Sequence, residues 1–201
     1  MNFFPPTIGI DISETSVKAV NLKTGDQGFF DVAAFGREYL PVLTVTQGEI
    51  KNHEALKESL KAVLENPKNN FPRTKYVVAS LPEEKAFLRI LELPATLKEN
   101  ELAEALKFEI ESNMPVSLDE VYYDYEILNQ KNPGQYYSVM VNAVPKKTVD
   151  SYADFFNKSG YKLSALEIES VSTKRSLFPE TSVKESVLVL DIGATQTRFM
   201  I

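Results

Sequence analysis

Residues 8–18 are IGIDISETSVK: an apolar strand that ends at Asp11, a polar turn, and the start of an alternating strand. The same arrangement returns near the other end of the sequence, where residues 189–198 are VLDIGATQTR. An aspartate ends each apolar run, and hydroxyl side chains and one cation follow it. The sequence therefore predicts two β-hairpins of similar design at distant points of one chain.

Both turns have the composition of a phosphate-binding loop. A small residue two places after each aspartate lets backbone amides approach a phosphate oxygen, and the hydroxyls donate further hydrogen bonds. Each strand-end carboxylate suits a hydrated Mg²⁺, which needs few protein ligands. We predict a nucleotide site that comprises Asp11, Ser13, Thr15, Ser16, Lys18, Asp191, Gly193, Thr195 and Thr197, with Asp11 and Asp191 facing the metal ion. For either motif alone an ordinary hairpin is the simpler interpretation, but the pair favours a binding site.

The first 83 residues predict the beginning of an α/β lobe. Residues 7–12, 16–22 and 29–35 have strand patterns separated by short turns, which indicates a meander. Residues 54–64 carry apolar side chains at helical spacing, and residues 75–81 form a compact apolar strand. This order of elements is typical of the start of a ribonuclease H-like or actin-like lobe.

Residues 84–165 predict a second unit inserted into this lobe. Its pattern is a strand over 85–93, a helix opened by a capping box at Thr96–Glu99, strands over 121–128 and 136–144, a helix that ends at Gly160, and a strand over 162–168. The order β-α-β-β-α-β is that of a ferredoxin-like α+β module. A helix near 170–178 and a strand over 186–192 then return to the first lobe, so we assign residues 166–201 to it.

Composition excludes several functions. The formal net charge of -6 argues against non-specific nucleic-acid binding, which needs Lys and Arg to neutralise phosphates. The sequence has no cysteine, so neither disulfides nor thiolate metal sites contribute. It also has no apolar run of membrane-spanning length, and its first residues lack the pattern of a signal peptide. Any membrane association is therefore expected to come through a partner.

Several stretches resemble a known family. Residues 8–18 are similar to the first phosphate loop of actin, the heat-shock chaperone ATPases and FtsA-like proteins, and residues 189–197 are similar to the second. Residues 77–83, together with Leu93-Pro94, the helix end FEIESNMPV and the strand VYYDYEIL, resemble the PilM family of type IV pilus assembly proteins. The resemblance covers essentially the whole chain. One departure is Ser13, which stands where the superfamily usually has glycine and whose side chain narrows the approach to a phosphate.

This resemblance implies an actin-like fold that binds ATP and Mg²⁺ between two lobes. It also implies a cytoplasmic scaffold at the inner face of the inner membrane, which grips the N-terminal tail of PilN and through it connects to other pilus assembly proteins. The second lobe would follow Ile201 and is absent from these residues. We therefore expect the 201-residue chain alone to bind Mg²⁺·ATP weakly or not at all.

The PilN tail is expected in a groove between the first lobe and the inserted unit. Tyr122, Tyr123 and Tyr125 crowd one strand, and period-2 alternation places Tyr123 and Tyr125 on one face and Tyr122 on the other. We predict Tyr123 and Tyr125 as partner contacts, because a tyrosine ring packs while its hydroxyl stays hydrated. Packing within the unit's own core is the alternative.

Two other functions fit the same pattern. An ATPase in its own right needs a catalytic base, for which Glu167 and Glu169 are the candidates, although a solvated helix start explains both. A relative that serves cell division, like FtsA, or type II secretion would carry the same phosphate motifs.

Overall fold

The computed structural model describes residues 5–26, 30–66, 68–113, 117–128, 136–178 and 186–201. The chain divides into two compact units. Unit 1 consists of Met1–Glu84 and Ser151–Ile201, and unit 2 consists of Lys85–Asp150.

In chain order, the strands and helices are β1 (Ile8–Ile12), β2 (Ser16–Thr24), β3 (Phe30–Tyr39), β4 (Val45–Thr46), β5 (Glu49–Ile50), α1 (His53–Glu65), β6 (Tyr76–Leu81), β7 (Phe87–Pro94), α2 (Glu99–Asn113), β8 (Val121–Leu128), β9 (Tyr136–Pro145), α3 (Lys146–Lys158), β10 (Lys162–Ile168), α4 (Glu169–Leu177), β11 (Val189–Ile192) and β12 (Thr197–Met200). Short 3₁₀ helices lie at Glu83–Lys85 and Leu118–Glu120.

Unit 1 contains a five-stranded sheet in the order β10-β6-β1-β2-β3. The strands β1, β2 and β3 are antiparallel neighbours, which confirms the predicted meander, whereas β6 pairs in parallel with both β1 and β10. Alternation along β1 buries Ile8, Ile10 and Ile12 and turns Asp11 to the opposite face. The sheet thereby presents the Asp11 carboxylate near the carboxyl end of a central strand.

Helix α1 packs against β2 and β3. Its buried side chains Leu56, Leu60 and Val63 recur at helical spacing, which is why the sequence predicts the helix. Asn52 caps its first turn, since the Asn52 side-chain oxygen accepts a hydrogen bond of 3.1 Å from the backbone N–H of Ala55.

Unit 2 contains a three-stranded antiparallel sheet in the order β7-β9-β8. Helix α2 contributes Leu102, Leu106 and Ile110, spaced by four, to its core. The strands complete that core with Leu91, Leu93, Val121, Val139, Val141 and Ala143. One face of the sheet therefore forms the core with α2.

The structure corrects the predicted extent of the inserted unit. Residues 162–168 do not add a fourth strand to the sheet of unit 2, because β10 pairs in parallel with β6 in unit 1. The unit therefore ends at Asp150, inside α3, instead of at residue 165, and begins at Lys85 instead of residue 84. A strand following a helix has the same local pattern in either sheet, so the sequence does not distinguish the two pairings.

The predicted start of α2 is also displaced. The helix begins at Glu99, and the Glu101 carboxylate accepts a hydrogen bond of 2.8 Å from the backbone N–H of Lys98, the contact that a capping-box glutamate makes. The predicted box at Thr96–Glu99 thus lies two residues too early. The predicted turn at 132–134 lies outside the described residues.

The strands β11 and β12 form the second predicted hairpin and pair only with each other within the described part of the chain. Among the described residues, no helix is both long enough and apolar enough to cross a membrane.

Candidate functional site

The first hairpin holds Asp11 between two polar partners. Asp11 lies directly opposite Lys18 across β1 and β2, and Lys18 Nζ is 2.8 Å from Asp11 Oδ2. The Ser80 hydroxyl, at the end of β6, donates to Asp11 Oδ1 at 2.9 Å. Both carboxylate oxygens are thus oriented by the sheet itself.

Ser13 closes the turn of this hairpin with its side chain. The Ser13 backbone N–H donates to the Ser16 carbonyl at 3.0 Å, and the Ser16 N–H donates to Ser13 Oγ at 3.1 Å. The Ser13 hydroxyl is thus engaged within the turn. Ser16 is buried beneath the turn, whereas Thr15 is exposed.

The second hairpin repeats this design. Asp191 lies opposite Arg198, whose Nη1 is 2.7 Å from Asp191 Oδ2. The Gly193 N–H donates to the Gln196 carbonyl at 2.9 Å, and a Cβ at Gly193 would lie only 2.9 Å from that same oxygen. The turn therefore requires glycine at this position. The predicted hydroxyls of Thr195 and Thr197 are both exposed.

Glu169, the first residue of α4, interacts electrostatically with a charged residue of each hairpin, Asp11 and Arg198. Its carboxylate forms an ion pair with Arg198 of the second hairpin, and the side chains of Arg198 and Glu169 are only 23% and 13% exposed. Burial raises the pKa of Glu169 to about 7; Arg198 opposes the rise, and Asp11, Glu84 and Glu83 add to it. Asp11 of the first hairpin is thus close enough to influence Glu169.

Two further carboxylates border this site. Glu83 accepts hydrogen bonds from the backbone N–H of Ser170 at 3.0 Å and from its hydroxyl at 2.9 Å. Glu84 accepts a hydrogen bond of 2.7 Å from Gln196 Nε2 in the second hairpin turn. These contacts connect the segment after β6 to α4 and to the second hairpin.

The sequence pattern predicted Asp11, Lys18 and Asp191 as site residues, but not Ser80 and Arg198, which also contact the two aspartates. Ser80 is distant from Asp11 in sequence, and only the parallel pairing of β1 with β6 brings them together. The pairing of Arg198 with Asp191 could have been predicted from the sequence, because Arg198 follows Asp191 by seven residues, as Lys18 follows Asp11. Of the two candidate bases, Glu167 forms an ion pair with Arg175, and the Glu169 side chain is only 13% exposed instead of solvated.

The donors present fit a hydrated Mg²⁺ held largely through its water molecules. Mg²⁺ in nucleotide sites keeps several waters and binds through one or two carboxylates and the phosphates. Asp11 and Asp191 are the strand-end carboxylates of the two hairpins, and each is paired with a cation. Among the described residues, no group of three or more Asp, Glu or His side chains is placed to hold a metal ion. Arg198 Nε is buried without a hydrogen-bond partner among these residues, which leaves a donor for water or a ligand.

The tyrosines of β8 divide between its two faces as the alternation predicts. Tyr123 and Tyr125 are half-buried and pack against the core of unit 2, the alternative role for these residues. Tyr122 points to the opposite face and is 48% exposed. Its hydroxyl contacts Asp150 Oδ1 at 3.2 Å, and Lys146 Nζ lies 5.5 Å from its ring centre.

Comparison with known proteins identifies the fold and the family. A solved structure described as the PilM-PilN type IV pilus biogenesis complex matches 97% of this chain with a TM-score of 0.81 and 24% sequence identity. This chain spans 57% of the length of that chain. The cytoplasmic domain of EpsL, an inner-membrane component of the type II secretion system of Vibrio cholerae, matches 98% of this chain and 71% of its own length, with a TM-score of 0.57 and 13% identity.

The fold is therefore that of the actin-like class, as the sequence predicts. The family model described as type IV pilus assembly protein PilM matches residues 9–201, and the chain belongs to that family.

Proposed function

We propose that this protein is a scaffold of type IV pilus assembly that binds Mg²⁺·ATP at its paired hairpins. The observation that carries the proposal is the match of residues 9–201 to the PilM family. The nucleotide part is supported by the repeated Asp–cation hairpins and by the glycine that the second turn requires. When bound, Mg²⁺ would neutralise phosphate charge.

Each part of the site has a distinct role in this proposal. Asp11 and Asp191 orient the water shell of the metal ion. Lys18, which is half exposed, supplies positive charge to the phosphates, and the hydroxyls of Thr15, Thr195 and Thr197 donate hydrogen bonds. We do not assign ATP hydrolysis to this site.

The aspartates provide the test. In the full-length protein, Asp11→Ala and Asp191→Ala should each weaken Mg²⁺·ATP binding by roughly 10- to 100-fold, the usual effect of losing a residue that orients a metal ion. Calorimetry with and without Mg²⁺ measures this, and circular dichroism checks the fold. Asp154→Ala is the matched control, because it removes an exposed aspartate that pairs with Lys158 at 3.1 Å. Wild-type affinity for Asp11→Ala and Asp191→Ala would contradict the proposed site.

The proposed partner is the N-terminal segment of PilN, since the matched structure is described as a PilM-PilN complex. Unit 2 offers a surface on the sheet face opposite α2, which carries the 60% exposed Ile90 together with Glu92, Asp124 and Glu126 and, towards the other end of the sheet, Tyr122. Apolar side chains flanked by carboxylates suit a short extended segment with apolar and basic residues. Tyr123 and Tyr125, on the other face, are the alternative contacts that the sequence predicts, through their exposed edges.

A synthetic N-terminal PilN peptide distinguishes the two faces. If the face opposite α2 is the contact, Tyr122→Ala should weaken peptide binding by about tenfold or more, as truncation of an interface tyrosine does. The double variant Tyr123→Phe, Tyr125→Phe keeps the core packing and should bind like wild type. If the double variant loses peptide binding and Tyr122→Ala does not, the contact is instead on the sheet face that packs against α2. Absence of binding by wild-type full-length protein would contradict the partner assignment.

Further parts of the proposal follow from the family. A PilM scaffold acts at the cytoplasmic face of the inner membrane and reaches other pilus assembly proteins through its partner. The alternative roles in cell division and type II secretion are not favoured, because the family match is to PilM and the likeness to EpsL, at 13% identity, concerns the fold alone.

A further inference from the structure

The two hairpins of the candidate site share one plan. In each, a cation seven residues after the aspartate faces it across the strands. Each turn is closed by the same backbone hydrogen bond, 3.0 Å from Ser13 N to Ser16 O and 2.9 Å from Gly193 N to Gln196 O. Lys18 and Arg198 therefore occupy equivalent positions in the two hairpins.

The surroundings of these two cations differ. The Lys18 side chain is 52% exposed and its Nζ contacts Asp11. The Arg198 side chain is 23% exposed, and separate nitrogens of its guanidinium contact two carboxylates, Nη1 with Asp191 and Nη2 with Glu169. A planar guanidinium can bridge two acceptors in fixed directions, which an ammonium does less well.

The need for such a bridge comes from how the second hairpin is attached. The first hairpin belongs to the five-stranded sheet, whose backbone hydrogen bonds fix its position. Within the described residues, β11 and β12 pair only with each other, and an isolated two-stranded ribbon is only marginally stable. Two side-chain contacts tie this ribbon to the rest of unit 1: the ion pair between Arg198 and Glu169 and the hydrogen bond from Gln196 to Glu84. The Arg198–Glu169 ion pair is less exposed to solvent than the Gln196–Glu84 hydrogen bond.

We propose that Arg198 is the positioning residue of the nucleotide site: its guanidinium holds Asp191 and Glu169 together and so fixes the second hairpin turn for ligand binding. The inference rests on the proposed nucleotide function. Without the guanidinium, Glu169 keeps a buried carboxylate without its counter-ion, and the turn loses its fixed position relative to the first hairpin. Arg198 acts here through Asp191 and need not contact the nucleotide.

Hydrogen exchange and nucleotide binding test this in the full-length protein. In Arg198→Met, amide exchange in β11 and β12 should accelerate at least about tenfold, as expected for breaking one largely buried ion pair, while exchange in β1 and β6 stays unchanged. Affinity for Mg²⁺·ATP should fall by a similar factor. Arg198→Lys should recover most of the thermal stability but little of the Mg²⁺-dependent affinity, since one ammonium does not hold both carboxylates in place.

Arg175→Met is the matched control. Arg175 is the exposed ion-pair partner of Glu167, and Glu167 lies two residues before Glu169. It should change neither measurement. Unchanged exchange of β11 and β12 in Arg198→Met would overturn the role of Arg198 while leaving the proposed function intact. Full recovery of Mg²⁺-dependent affinity in Arg198→Lys would also overturn it. Absence of Mg²⁺·ATP binding by the wild-type protein would overturn the proposed nucleotide function instead, and the exchange result would still decide whether Arg198 anchors the hairpin.

Discussion

At the scale of single residues, Glu169 is a carboxylate that packing has largely removed from water, with its side chain only 13% exposed. A carboxylate that loses water on burial favours its protonated form, and the neighbouring carboxylates Asp11, Glu84 and Glu83 add to this effect. Arg198 opposes it but does not cancel it, so the pKa of Glu169 is about 7. The charge of the ion pair that holds the second hairpin therefore changes near neutral pH.

This raised pKa predicts a specific pH dependence of stability. Between the ordinary glutamate value of 4.5 and about 7, the folded protein binds more protons at Glu169 than the unfolded chain does, so the free energy of unfolding falls as pH rises. The contribution is at most about 3 kcal/mol across that window. In Glu169→Gln this contribution disappears, and chemical denaturation from pH 4.5 to pH 8 should show a flatter dependence than wild type. Glu58→Gln, an exposed replacement on α1, is the control. Parallel curves for wild type and Glu169→Gln would contradict the prediction.

At the scale of elements, the sequence predicted what depends on local pattern. The meander and α1 were predicted because turn residues and helical spacing are local signals. The pairing of β10 with β6 was not predicted, since Lys162 of β10 pairs with Tyr76, 86 residues earlier, and nothing in β10 itself selects a sheet. The start of α2 was displaced for a different, local reason, because Thr96 and Glu101 both offer capping side chains.

The residues of the candidate site were likewise predicted only where their signal in the sequence is local. Asp11 and Asp191 were predicted because each ends an apolar strand before a polar turn, a signal within ten residues. Ser80, Glu83, Glu84 and the bridging role of Arg198 were missed, because their contacts depend on which strands are neighbours and on where α4 begins. Burial of Glu169 was missed for a related reason: a glutamate at a helix start is usually solvated, and only tertiary packing removes its water.

At the scale of the whole molecule, the two units have separate apolar cores. Among the described residues, the core of unit 2 consists of side chains from α2 and the three-stranded sheet, with no contribution from unit 1. Unit 1 has its own buried residues along β1, α1 and β6. Since the hydrophobic free energy follows the apolar area that each core removes from water, each unit has its own source of stability.

This separation predicts that core substitutions act locally. Ile110→Ala, at a fully buried position of α2, should destabilise unit 2 by about 2–5 kcal/mol through lost contacts and the cavity left behind. Native-state hydrogen exchange should then show faster opening of β7, β8 and β9, with little change in β1, β2 and β6. Leu60→Ala in α1 is the reciprocal variant and should show the opposite pattern. Equal loss of protection in both units after either substitution would mean that the chain unfolds as one cooperative body, and the separate cores would then not be independent folding units.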